Sequence, residues 1–159
     1  MSSNIFLARS SPADFDATVR SAVTLDEHPE YPEAIADMET VRLFGVPESR
    51  SDTFENMTAD DLVLFHQDGE YVGTARIKMT FEDDQQWVAT TLWSDTSSPL
   101  IYTIEDFTPV AVPIPAVNRI FGYAAGYTPP NSMRVASSRV DNRLQAIEQA
   151  LEQYTDKQM

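Results

Sequence analysis

The tightest constraint on the fold is a short tract in the middle of the chain: LVLFH, then Gln67-Asp68-Gly69, then EYVGTARIKM. Asp-Gly between two runs rich in β-branched and aromatic residues marks a tight β-hairpin, because both turn positions need positive φ and these residues tolerate it. Side chains alternate along a strand, so Tyr71, Gly73, Ala75, Ile77 and Met79 are expected on one face and Val72, Thr74, Arg76 and Lys78 on the other. The first set is the expected core face. The hairpin implies an antiparallel sheet, and NIFLA at 4–8, VRLFGV at 41–46, WVATTLW at 87–93 and PLIYTIEDF at 99–107 supply further strands.

Helices are expected at the margins of that sheet. Ser11 as N-cap and Pro12 as first helical residue predict a helix through Phe15 and Val19 to about Ser21. The acidic stretch 26–38 reads as a loop with one helical turn near 34–38; a second turn is expected near 54–57. PAVNRIFGY reads as a short helix with Pro115 near its start. From about Ser138 to Tyr154, Val140, Leu144, Ile147, Leu151 and Tyr154 recur at three- and four-residue steps, which predicts a final helix. Five to seven strands clustered between 41 and 112, with two or three helices, indicate an α+β domain built on a mostly antiparallel, barrel-like sheet. The 159 residues suit one domain, 1–154, with 155–159 read as a linker or chain end.

Charge narrows the setting and the partner. Asp and Glu number 25 against 11 Lys and Arg, a net charge of -14, and the lysines are Lys78 and Lys157 alone. An acidic surface poor in lysine suits molar salt, where the Debye length falls to about 3 Å and self-repulsion is screened; a salt-loaded cytoplasm is the expected compartment. From Phe107 to Ile147, however, Arg119, Arg134, Arg139 and Arg143 face the single acid Asp141, so that stretch is positive. Guanidinium forks match phosphate oxygens and stack on bases. Arg42, Arg76 and Lys78, on predicted strands, are expected to extend this patch along a nucleic-acid backbone. Each arginine has the alternative of pairing with one of the many carboxylates.

Phosphate contacts weaken as salt rises, through counterion release, so stacking and hydrogen bonding must carry more of any affinity. Phe44, Trp87 and Trp93 sit at strand positions beside polar segments. A base stacked on an aromatic ring gains about 1–3 kcal/mol, and an extruded base needs such a slot plus groups that read its edge. Asn4, Ser94, Asp95 and Thr96 are candidate edge readers. For any one of these rings taken alone, the core is the commoner fate.

Catalytic constellations are sparse. No cysteine is present, which excludes disulfides, a thiolate nucleophile and a cysteine zinc site. Neither G-x-S-x-G, a P-loop nor G-x-G-x-x-G occurs. His28 beside Glu27 and Glu30 makes a poor zinc shell, so no metal or cofactor is expected. The acidic pairs Asp60-Asp61, Asp83-Asp84 and Glu105-Asp106 are expected at solvated surface, the first of them at a helix start. MSSNIFLARS lacks the basic-then-apolar pattern of a secretory leader, and no run approaches the roughly 18 apolar residues of a membrane helix.

VRLFGVPES, then DDLVLFHQDGEYVGTARI, then LWSD and SPLIYTIEDF in this order resemble the EVE/YTH group of PUA-like domains, over about residues 41–112. The chain is also similar to the N-terminal domain of archaeal restriction proteins of the McrB type. The resemblance implies a small barrel that flips a methylated base, here most naturally in double-stranded DNA, into an aromatic cage. Phe44 matches the position of the family's first cage aromatic, usually Trp, and Trp87 or Trp93 would supply the opposing wall. Catalysis would then lie in a downstream NTPase or nuclease domain or subunit. The rival readings are an ASCH-like nuclease or small hydrolase using Lys78, Thr90 and Glu105, and a protein-interaction barrel with its aromatics buried.

Overall fold

A computed structural model describes residues 4–9, 15–27, 31–46, 48–83, 87–92, 99–124, 126–129, 133–135 and 149, without the side chains of 89 and 90. Seven strands form one sheet: β1 (Ile5–Arg9), β2 (Val23–Thr24), β3 (Thr40–Val46), β4 (Leu62–Gln67), β5 (Glu70–Glu82), β6 (Leu100–Pro113) and β7 (Met133–Arg134). Their order is β2-β3-β6-β5-β4-β1-β7. β1 and β4 run parallel; the other described pairings are antiparallel. β2 and β7 stand at opposite ends of the order, so the sheet is an open one among the described residues. Helix α1 is Ser51–Glu55 and α2 is Ile114–Phe121.

The hairpin forms as expected. Asp68 (φ 52°) and Gly69 (φ 83°) both take positive φ between β4 and β5, which gives the turn a twist that matches its strands. The Gly69 carbonyl also accepts the Ile114 N–H at 3.1 Å and so fixes where α2 begins. Gly122, at φ 79°, ends α2 in a left-handed cap that frees no carbonyl it does not need, its N–H returning to Arg119 and Asn118.

Both faces of the sheet centre are covered, which is why β1 and β4 read as nearly unbroken apolar runs. Phe6, Ala8, Val63 and Phe65 join a large cluster with Phe15, Val19, Leu43, Ile77, Ile101 and Tyr102. Ile5, Leu7, Leu62 and Leu64 face the other way, against Val117 and Phe121 of α2. The expected single core face of β5 is split by this arrangement: Ala75 and Ile77 point to the large cluster, but Tyr71 points to the α2 side. The register of β5 on β6 shifts between Tyr71 and Gly73, and an extra residue in a strand reverses the facing of what precedes it.

Two further expectations change. Val88–Leu92 is helical, so WVATTLW is not a strand. The reason is Asp83: its carboxylate accepts the N–H groups of Trp87 (3.1 Å) and Val88 (2.8 Å), satisfying amides that a helix start leaves open. The short edge strands β2 and β7 carried no strand signal, two residues being too few for an alternation pattern. Of the first predicted helix, the turn Asp16–Arg20 is described and Ser11 and Pro12 lie outside the described residues. The predicted helix Ser138 to Tyr154 also lies outside them, apart from Gln149. No described helix is long and apolar enough to cross a membrane.

Candidate nucleic-acid interface

β3 carries Phe44 to the sheet centre, where its ring meets Phe65 edge-on (centroids 5.5 Å, 86°) and Tyr102 at 6.4 Å and 71°. Phe44 is only 6% exposed and Trp87 only 7%, so these two rings are core members rather than walls of an open slot. Burial of that depth follows from position: Phe44 sits between β6 and the large cluster, and Trp87 opens the helical segment that Asp83 anchors. Trp93, Ser94, Asp95 and Thr96 lie outside the described residues.

Asn4 is not available as an edge reader in this arrangement. Its N–H donates to Asp61 Oδ1 at 3.0 Å, and its Nδ2 donates to the Asn56 carbonyl at 3.1 Å and Asp61 Oδ2 at 3.4 Å. Asp61, 2% exposed, also accepts the Thr58 N–H (2.9 Å) and Oγ1 (3.0 Å). This buried carboxylate ties the start of β1 to the turn before β4. Asp83 is similarly buried, at 3%. Neither belongs to the solvated surface expected of them; a carboxylate leaves water where it gains several N–H donors at once. Asp60, Glu105 and Asp106 are exposed as expected.

The basic residues fall into two groups. Arg42 Nη1 donates to the Val19 carbonyl and, at 2.9 Å, to the Arg20 carbonyl, and its guanidinium lies 5.2 Å above the Phe107 ring. It therefore closes the end of the helical turn Asp16–Arg20 instead of reaching for phosphate. Arg76 Nη1 donates to the Asp60 carbonyl at 3.0 Å. Lys78 is exposed and, with Arg42, Thr103, Glu105 and Phe107, lines a cleft of about 320 Å³. That cleft adjoins another of about 520 Å³ lined by Asp37, Met38, Glu39 and Met79. Lys78 and Glu105 of the hydrolytic alternative thus share a cleft, while the Thr90 side chain is outside the described set.

Arg119 and Arg134 form the second group. Both are exposed, on the last turn of α2 and on β7. β3 and β7 are five steps apart in the sheet order, on the order of 24 Å along the sheet at about 4.8 Å per strand. Arg42 consequently stands well apart from Arg134 along the sheet. Arg139 lies outside the described residues.

Two buried groups had drawn little notice in the sequence. His66 is 2% exposed, its ring packed on Tyr71 at 5.1 Å. Burial, with the Arg9 charge adding to it, lowers its pKa to about 4. Tyr102 is fully buried, and its hydroxyl has no hydrogen-bond partner among the described residues. The signal for it was one phenol within the apolar run LIYTI. His28 is outside the described residues, among which no three acidic or histidine side chains cluster closely enough to hold a metal ion.

No family model matches the sequence, and no curated protein matches it. Solved structures do match. The N-terminal domain of Thermococcus gammatolerans McrB bound to m5C DNA superimposes with a TM-score of 0.70 at 16% identity, covering 93% of this chain and 99% of that one. This chain has a PUA-like fold of the EVE/YTH type. The YTH domain of a Zygosaccharomyces rouxii protein in complex with N6-methyladenosine RNA follows with a TM-score of 0.59 at 11% identity, over 92% and 87% of the two chains. An ASCH protein from Zymomonas mobilis reaches 0.50 at 9% identity over 89% and 94%.

Proposed function

We propose that this chain reads a methylated base in nucleic acid, and in double-stranded DNA ahead of RNA. The base leaves the duplex stack and is held by aromatic side chains contributed from the end of β3 and the segment Trp87 to Trp93. The observation that carries this reading is the whole-domain match to a domain in complex with m5C DNA, with the second match in complex with N6-methyladenosine RNA. DNA is preferred because the DNA-bound domain fits with the higher TM-score. Arg119 and Arg134, exposed and remote from the large cluster, supply phosphate contacts that position the duplex without reading it. The domain serves as the recognition part of a restriction system, with nuclease or NTPase chemistry on another domain or subunit.

Because Phe44 and Trp87 are nearly covered, they back the cage from the core, and Trp93 is the wall that the base touches. The test is a panel of duplexes carrying 5-methylcytosine, N6-methyladenine or neither, titrated at high salt with tryptophan fluorescence as readout. One modified duplex is expected to bind and to alter the emission. Trp93→Ala should abolish that preference at nearly unchanged stability, and Trp87→Ala should destabilise by about 3–5 kcal/mol. Equal binding of all duplexes refutes the reading.

A further inference from the structure

The cleft of about 320 Å³ carries a balanced set of charges, Arg42 and Lys78 against Glu105 and Asp106. Its volume is that of a small-molecule site. The register of β5 on β6 shifts between Ile77 and Met79, so Lys78 is the extra residue of a bulge, a device by which a strand re-aims a side chain. Lys78 is also the only lysine among the described residues. Neither it nor Glu105 has a side-chain hydrogen bond or ion pair among them. Thr103 lines the same cleft from β6, with Leu43 and Met79 as its cross-strand partners. It is 1% exposed, and its Oγ1 has no hydrogen-bond partner among the described residues. A buried hydroxyl left unsatisfied costs free energy that a valine there would not incur.

We propose that this cleft binds a small zwitterion of the α-amino acid class, at a site separate from the base site. Lys78 and the Thr103 hydroxyl take its carboxylate, with the Arg42 guanidinium as a fixed positive charge in the wall. Glu105 and Asp106 take its ammonium group. The half-buried Met38 and Phe107 give an apolar wall for a short side chain. The charges disfavour simpler ligands. A phosphate would meet Glu105 and Asp106 and, in the adjoining cleft, Asp37 and Glu39, so like charges oppose it. A plain amine would leave Lys78 and Arg42 with no anion to face. This site does not rest on the base-reading function proposed above.

The test is titration of the full chain with L-alanine, propionate, ethylamine or inorganic phosphate at constant ionic strength, read by backbone amide NMR shifts. L-Alanine should give saturable shifts at Lys78, Thr103 and Glu105, with a Kd on the order of 1 mM. Propionate and ethylamine each carry one of its two charges and should bind about tenfold more weakly or less. Lys78→Met, a change at an exposed position, should abolish L-alanine binding. Thr103→Val, which keeps the shape and loses the hydroxyl, should weaken it about tenfold and melt at or above the parent's temperature. Glu105→Gln should weaken L-alanine and strengthen propionate. The proposal is overturned by the absence of a saturable L-alanine shift, by equal shifts from every probe, by tighter binding of phosphate, or by unchanged L-alanine binding in Lys78→Met.

Discussion

Gly73 leaves room for one ring, and putting a methyl there gives the most direct check on the packing beneath the site. A Cβ built on Gly73 would lie 2.5 Å from Phe107 Cε1, 3.0 Å from Phe107 Cζ and 3.3 Å from Phe15 Cζ. Non-bonded carbons settle at about 3.5–4.0 Å, so in Gly73→Ala the Phe107 ring must retreat by roughly 1 Å or more. Phe107 is half-buried and can move outward, but it then loses its edge contact with Phe15 (5.9 Å) and its stack beneath the Arg42 guanidinium (5.2 Å). Overpacking of this kind costs about 1–3 kcal/mol; the stiffer unfolded chain returns about 0.4–1 kcal/mol. The net expectation is a loss of about 1–2 kcal/mol, or about 3–6 °C in Tm for a chain of this size. The assay is a double-mutant cycle by thermal or denaturant unfolding with Phe107→Ala. With the ring gone the added methyl has space, so the two changes should be sub-additive by about 1–2 kcal/mol. Additive losses, or a Gly73→Ala protein as stable as the parent, would refute the argument that Phe107 fills the glycine's place.

Two other expectations follow from the charged groups. The folded His66 takes up its proton near pH 4 and the unfolded one near 6.5, so between those values the unfolded chain binds more protons and stability falls as pH drops. The parent should lose about 2 kcal/mol more than His66→Phe between pH 7.5 and pH 5, measured by thermal melts; parallel pH profiles would show that burial does not hold the imidazole neutral. Arg119→Ala and Arg134→Ala should weaken binding of modified and unmodified duplexes by the same factor and flatten the salt dependence. Arg42→Lys should instead lower stability by about 1 kcal/mol through the lost carbonyl contacts and ring stack, and leave DNA titrations unchanged. A base-selective effect of Arg119 or Arg134 would mean that they read rather than position.

What could be read from the sequence was what local chemistry decides. The Asp68-Gly69 turn needs positive φ at both positions, and residues 41–46 and 99–107 alternate or run apolar at strand length; both survive in the structure. The α2 helix was legible from Pro115 near its start. The errors arose where a side-chain contact or a neighbouring strand overrides the local pattern. Trp87 has the composition of a strand residue, but the Asp83 carboxylate turns the chain there into a helix. Tyr71 obeys the alternation of β5 until a bulge against β6 reverses it. The site was harder still. A strand arginine such as Arg42 looks like a phosphate ligand until its target carbonyls, 22 and 23 residues earlier in the chain, are folded against it. Asn4 was lost to Asp61 in the same way, across 57 residues. Phe44 was singled out by resemblance, yet sequence offers no measure of how deeply a ring is covered.

The two halves of the functional reading constrain each other through charge. A chain with a formal charge of -14 repels a polyanion at long range, and salt that screens the repulsion also weakens every phosphate contact it makes. Arg42 and Arg76 already bond carbonyl oxygens, and Arg134, on β7, lies at the far end of the sheet order from β3. Among the described residues few phosphate contacts therefore remain to supply affinity, and their loss with salt would be correspondingly small. If the chain reads a base as proposed, the energy of recognition has to come from burying the base itself, chiefly through the stack. Such a binder gains little from undamaged, unmodified DNA, where nothing is extruded, and so it discriminates by the same balance that makes its non-specific hold weak. On the proposed function, the acidic surface would suppress indiscriminate binding, and the stack would reward the one base that is extruded.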